Sequence, residues 1–444
     1  MNKLAHSLKD RDTLTVFLDK FIMALKGPLV IAAVLFFLDV ETQGIWYTFI
    51  SLSALAGIAE LGFTTIITQF VSHEYAHLGK KEGLIVGDGV ALDKAISLIR
   101  YALKFYIVIV PIAIIILLLI GYYFFSEYKS NVYITWAFYC FFSGANLVVS
   151  LLQAIYKGFD NVHGSHFSIS LSNFTSLLLI LVCLSLGLGI YALPIAMVCS
   201  LSVALVTLYN LDRKLWIQLI KHKVKQKYNW KNEVVTLQVK YAISFMCGYF
   251  IFNLYVPLVF KLEGEQVAGQ VGLTLTVVKA ISAFCYVWIN AKVPTINILV
   301  AKNSYEELNP FYINKVKLAL STYFVGVIGF FAALWVSNYL NFFNGRFLDI
   351  KTTFLVVLVE LSTVLVSIFA IYVRAHKIEP FNVASVISAI SVAVIAYLAL
   401  LKSSVLSMFI MIVIFQWIIM LPLFIYAGKK GLAKYHCGKA KVCS

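Results

Sequence analysis

Long apolar stretches alternate with short polar ones along the whole chain. Twelve can be placed, near 21–38, 45–71, 102–125, 132–155, 165–187, 190–210, 239–260, 270–292, 317–337, 353–373, 381–401 and 405–427. A run of about 20 apolar residues is long enough to cross a hydrocarbon core of roughly 30 Å as a helix. The runs are continuous rather than alternating, which excludes a β-barrel. The pattern therefore predicts an all-α polytopic membrane protein. The second run is the most informative. It opens on Trp46 and Tyr47, expected at a membrane boundary, and carries Ser53, Ala54, Gly57, Ala59, Gly62 and one carboxylate, Glu60. An ionisable group at that depth faces protein or water rather than lipid, so this span is expected to line something. Ahead of the first run, Leu4, Leu8, Leu14, Phe17 and Leu18 stand among charges, the pattern of an interfacial helix.

Charge then orients the spans. With the N-terminus inside, the inner segments hold 28 Lys and Arg and the outer loops hold 5: Lys129, Lys261, Arg346, Lys351 and Lys402. That asymmetry places both termini in the cytoplasm. It also removes the nucleic-acid reading that a net charge of +15 invites, because the cations follow topology rather than one face. The composition agrees, with 61% hydrophobic and only 13% charged residues. The most basic inner segment, 212–231, falls at mid-chain and divides the spans six and six, as in internally repeated transporters. A weak repeat supports the division. Asp39-Val-Glu41-Thr-Gln-Gly44 and Glu263-Gly-Glu265-Gln-Val-Ala-Gly269 are both acid-x-acid linkers ending in Gly before a long span. The expected organisation is an N-lobe over 1–220, a C-lobe over 221–427 and a basic tail over 428–444.

Local motifs carry little catalytic chemistry. His73-Glu-Tyr-Ala-His77 is a literal H-E-x-x-H, which on a helix could hold zinc. Glu82, Asp88 and Asp93 have no recognisable third-ligand spacing, so no metal is expected. The seven cysteines show no disulfide or zinc pattern. No nucleophile triad, phosphate-binding glycine loop or nucleotide motif is present, and neither a catalytic residue nor a cofactor is expected. No cleavable signal is read before the first span.

Several short motifs resemble the Wzx-type flippases of lipid-linked oligosaccharides such as O-antigen units. These belong to the polysaccharide transporters of the MATE-like MOP superfamily. The motifs are the acidic linker with Gly44, Glu60-Leu-Gly-Phe63 running into Ile67-Thr-Gln-Phe-Val-Ser72, Gln153-Ala-Ile-Tyr-Lys-Gly158, and Lys292-Val-Pro294. The resemblance implies two six-helix lobes around a central cavity that opens alternately to each side of a bacterial inner membrane. It implies a cationic cavity receiving the diphosphate of an undecaprenyl-linked sugar unit in lipopolysaccharide biosynthesis. A polysaccharide polymerase and a chain-length regulator are then candidate partners, besides membrane lipid.

Under that resemblance the intramembrane charges gain roles. Lys26, Lys279 and Lys292 are candidates for the diphosphate, Lys292 lying closer to the interface where it can snorkel. Glu60 and Glu360 are candidates for ion coupling, or for neutralising Lys26 and Lys279 as buried ion pairs. Gln153, Asn173 and Asn253, with Tyr249 and Tyr255, are candidate sugar contacts, although such side chains also serve as packing and helix–helix glue. Two rivals remain. A multidrug antiporter of the same fold is expected to use mainly acidic groups, and a membrane polymerase or ligase to carry a large external loop. The outer loops here are short.

The charge map makes a direct prediction. Membrane-impermeant labelling of single cysteines introduced at Lys129, Lys261 and Arg346 should report all three outside. Protection of any one would break the alternation and the division into lobes.

Overall fold

The computed structural model describes residues 11–60, 62–128, 130–225, 228–290, 292–293, 296, 299–300, 303–340, 345–376 and 378–442. Among them nine helices are long and apolar enough to span a membrane. Two further spans are bent pairs, and the apolar part of the first helix, Phe21–Phe37, is shorter. Together these occupy the twelve predicted positions. The protein is a multi-pass helical membrane protein.

The chain divides into two compact units. One comprises 1–38 with 52–246, the other 39–51 with 247–444.

In the first unit, α1 (Arg11–Phe37) packs along α7 (Val162–Ser185), which packs on α8 (Ala192–Leu211). The expected interfacial helix is corrected in part. Residues 4–10 lie outside the described residues, and Arg11 onward is continuous with the first span. The second span is broken. After α2 (Val40–Ser53), most of which belongs to the second unit, come a short α3 (Ala56–Glu60) and α4 (Phe63–Tyr75). Gly62 stands before α4 at φ 70°, a left-handed conformation that glycine adopts without steric cost. The fourth span, α6 (Ser130–Gly158), closes on α4 because Gly158 has no side chain. A Cβ there would lie 2.7 Å from that of Val71.

The loop after α4, read from sequence only as polar and basic, folds as a hairpin. Strands β1 (Leu78–Lys81) and β2 (Leu84–Gly87) pair antiparallel. Glu82 and Gly83 make the turn with φ of 56° and 84°, the primed geometry that matches strand twist. The hairpin precedes α5 (Gly89–Phe125) and docks on the basic linker between the spans. There the amphipathic α9 (Arg213–Lys221) buries Leu215 and Leu219. The Gln218 side-chain amide both donates to and accepts from the Ile85 backbone at 2.8 Å. Lys80 pairs with Asp212, and Asp93 accepts from the Lys225 amide at 2.9 Å and meets His222 Nε2 at 2.7 Å. The basic segment is thus a docked element of the first unit.

In the second unit, α11 (Tyr255–Glu263) packs on α12 (Glu265–Asn290), and α12 on α13 (Tyr305–Tyr339) and α14 (Ile350–Arg374). The eleventh span is α15 (Asn382–Lys402). The last runs from α16 (Val405–Phe415) through one π turn into α17 (Leu421–Val442). The seventh span is also broken, bending by 50° between α10 (Lys231–Phe252) and α11. Pro257 accounts for the site of this break. It has no N–H for the Asn253 carbonyl, and its ring displaces that carbonyl.

The two acidic linkers meet in this unit, where α2 crosses α12 backbone to backbone. A Cβ on Gly44 would fall 1.9 Å from the Glu265 carbonyl oxygen, and one on Gly269 would fall 2.9 Å from that of Val40. Gln43 Nε2 donates to the Gly269 carbonyl at 2.8 Å, and Gln266 Nε2 to Glu41 Oε1 at 3.3 Å. Trp46 and Tyr47, near the start of the second span, are buried within the protein. Tyr47 packs where a Cβ on Gly272 would lie. The crossing yields a sharp expectation. Gly44→Ala should cost about 2–3 kcal/mol through overpacking against backbone. Gly27→Ala, with nothing within 4 Å of its Cβ, should be neutral or stabilising. Melting of the detergent-solubilised protein followed by intrinsic fluorescence checks both, and equal melting points would contradict the close crossing.

Candidate functional site

The broken second span creates a polar cavity within the first unit. Glu60 at the end of α3 and Thr64, Thr65, Thr68 and Gln69 on α4 recur at helical spacing and so share one face. Ser150, Gln153, Ala154 and Lys157 do the same on α6, and α7 adds Ser165 and Ile169. The space they line is about 560 Å³. Glu60 accepts a hydrogen bond from Thr64 Oγ1. Thr68 Oγ1 donates to the Thr64 carbonyl at 2.9 Å and to the Ala154 carbonyl at 3.2 Å, tying α4 to α6. Gln153 Nε2 donates to Ser168 Oγ at 3.3 Å, and its own backbone carbonyl accepts from Ser165 Oγ at 3.0 Å. The lining offers five hydroxyls, two amides, one carboxylate and one ammonium, and no aromatic ring. Its formal charges cancel. Chemically it can exchange many neutral hydrogen bonds with a polyhydroxylated guest.

The expected ion pair between Lys26 and Glu60 is not formed. Lys26 Nζ donates instead to Asn173 Oδ1 at 3.2 Å and Ser176 Oγ at 3.1 Å. Asn173, a candidate sugar contact, therefore holds a lysine here. Two turns toward the N-terminal ends of the same helices, His166 Nδ1 meets Asp19 Oδ2 at 3.0 Å, and His163 meets Thr15 Oγ1 at 3.3 Å. Asp19 and His166 were missed by sequence reasoning. The signal was present as a seven-residue spacing on both helices, Asp19 to Lys26 and His166 to Asn173. It registers two parallel helices face to face.

The second unit holds the other candidates. Glu360 is buried on α14, and its charge acts on Lys279 of α12. The two are not joined within 4.0 Å, so the expected ion pair is again not closed. Lys279 Nζ donates to the Phe252 carbonyl at 2.6 Å, at the break in the seventh span. Asn253 lies in that break, with its amide on the Tyr249 carbonyl at 2.8 Å. Tyr249 and Tyr255 are buried, Tyr249 edge-on to Phe250 and Tyr255 against Phe409, so both rings pack within the unit. Lys292 is exposed, while Pro294 lies outside the described residues. His73 and His77 are exposed with ring centroids 6.5 Å apart. Among the described residues no group of three or more His, Cys, Asp or Glu is placed to hold a metal ion. Outside the spans, partial burial lowers the Arg346 guanidinium below its ordinary value, opposed by the charge of Asp39.

No protein-family model matches the chain, and no curated protein matches it by sequence. Solved structures do match by shape. An inward-facing multidrug resistance transporter of the MATE family, in the MOP superfamily, superimposes with a TM-score of 0.65 at 13% identity. That match covers 92% of this chain and 95% of the other. The lipid II flippase MurJ, in an inward closed conformation, gives 0.60 at 13% identity, covering 96% and 89%. The MATE multidrug transporter DinF-BH gives 0.55 at 16% identity, covering 93% and 94%. All three are transporters. The chain has the fold of the MATE-like transporters and flippases of the MOP superfamily.

Proposed function

We propose that this protein is a flippase that moves a polyprenyl-diphosphate-linked oligosaccharide from the cytoplasmic to the periplasmic leaflet of a bacterial inner membrane by alternating access. A polysaccharide repeat unit such as an O-antigen unit, carried on undecaprenyl diphosphate, is the substrate class. The observation that carries this reading is the first unit's cavity. Its lining combines hydroxyls, amides and cancelling charges with apolar surface, which suits both the hydroxyls and the ring faces of a sugar. Lys26 and Lys279, one in each unit, add positive charge for a diphosphate. A neighbouring solved fold, MurJ, is itself a lipid II flippase, and this favours the same class of cargo. The two lobes, the cytoplasmic placement of both termini and partnership with a polymerase belong to the same proposal. An inside-negative potential favours outward passage of the anionic head group, by about 2.3 kcal/mol per charge per 100 mV.

The fold equally accommodates a multidrug antiporter, so the test must separate the two. Proteoliposomes containing a fluorescent undecaprenyl-diphosphate glycan should show protein-dependent transfer to the leaflet accessible to an impermeant quencher. Gln153→Ala and Glu60→Ala should each slow transfer about tenfold or more, the effect of losing one well-made buried hydrogen bond. Gly27→Ala should not. Efflux of a cationic dye without any glycan transfer would overturn the reading in favour of the antiporter.

A further inference from the structure

The break in the seventh span leaves the Phe252 carbonyl without its ordinary helical donor, and a bare carbonyl inside a membrane protein costs several kcal/mol. Lys279, 27 residues further on, supplies the missing donor at 2.6 Å. Neither role drawn from the sequence, partner of Glu360 or ligand of an anion, includes this bond. We propose that Lys279 is a positioning residue that holds the seventh span bent by capping Phe252, and that an anionic diphosphate releases the bend by taking the ammonium away. The proposal rests on the flippase reading and adds how the cargo's charge is read.

Competition for one carbonyl makes the coupling physical. The other donor in reach along the chain is the Val256 N–H, the i+4 partner that an unbroken helix would use. Pro257 blocks only the next bond, to Asn253, so a straighter helix with a proline kink remains open to this sequence. Lys279 therefore selects the bent form, and Val256 the straighter one. The surroundings leave the ammonium free to be drawn off. Glu360 acts on it through space without a closed ion pair. The hydroxyls of Tyr286 and Tyr323, which also feel Glu360, are already bonded, to Ser367 and to the Val357 carbonyl. A diphosphate offers two or more negative charges where Phe252 offers one neutral oxygen. The bond to Phe252 is already charge-assisted from the donor side, and an anionic oxygen adds ion–ion attraction that a neutral carbonyl lacks.

Spin labels carried on non-natural amino acids at the exposed Met246 and Leu262 straddle the break and leave the native thiols untouched. From the 1.5 Å rise per residue, relaxing the 50° bend to an ordinary proline kink lengthens their separation by about 2 Å. Farnesyl diphosphate added to the otherwise wild-type protein should produce that lengthening, and farnesol should not. Without ligand, Lys279→Met should already be lengthened, and Lys279→Arg should stay bent. An unchanged distance with farnesyl diphosphate, or a bent Lys279→Met, overturns the proposal. Should Lys279→Met fail to fold, the ligand arm on the wild-type background decides alone. Glycan transfer with immobile distances would sink this inference and leave the flippase reading standing. Distances that move in a protein that transfers no glycan would do the reverse.

Discussion

Inside a bilayer no water is available to a backbone N–H or C=O, so each must be satisfied by the protein itself. Unbroken helices meet this demand locally, which is why most of the chain is helix and why nine spans run without interruption among the described residues. The consequence for function lies where the rule is strained. Both bent spans lie beside ionisable side chains within the apolar runs. In the second span, Glu60 ends one helical piece and accepts from Thr64 in the next. In the seventh, Lys279 reaches across from another helix to the freed Phe252 carbonyl. A break in a membrane helix has to be supported by polar side chains, and those same side chains are what a polar cargo can compete for.

The helical class and the placement of all twelve apolar segments were legible in the sequence because hydropathy at that length has one physical solution. The acidic linkers were legible too, though only as a repeat. The structure gives them a geometric meaning. Gly44 and Gly269 lie 225 positions apart, as do Val40 and Glu265, and each glycine accepts the close approach of the other pair's backbone. Glu41 and Gln266, bonded to each other, have the same separation. Residues separated by one constant interval thus face one another across the crossing. Hydropathy could not reveal this, since it does not say which helix Trp46 and Tyr47 are buried against.

The cavity was only half legible. Glu60 and Gln153 stood out as costly polar groups in apolar runs, but the hydroxyls beside them did not. Most membrane Ser and Thr residues satisfy themselves by donating to the carbonyl four residues back, as Thr175, Thr276, Ser282 and Thr363 do here. A threonine in sequence therefore gives no sign of whether it lines a cavity. Thr64 departs from that habit by donating to Glu60, and Thr68 shares its proton with a second helix. The hairpin at 78–87 was hidden for a related reason. Its strands carry no long alternation, and it is held by tertiary partners, Gln218 and Asp212, more than 130 residues away.

For the two deep lysines, carboxylate pairing was one of two roles open from the sequence, and it is not the arrangement found. A carboxylate is the strongest available partner, so Lys26 with Glu60 and Lys279 with Glu360 were the natural pairings. The structure gives each ammonium neutral oxygens instead, Asn173 and Ser176 in one unit and a backbone carbonyl in the other. A closed, buried ion pair is strongly destabilised when one partner leaves, by about 3–5 kcal/mol. A hydrogen bond from a charged group to a neutral oxygen contributes about 1.5–3 kcal/mol net. An anion about 4 Å from a lysine gains roughly 4 kcal/mol per charge at an effective dielectric constant near 20. Under the proposed function, neutral partners hold a lysine in place firmly enough to define the empty state, yet weakly enough that a diphosphate outcompetes them. Carboxylates bonded directly to the same lysines would close that margin, and a cargo that must be bound and then released depends on it.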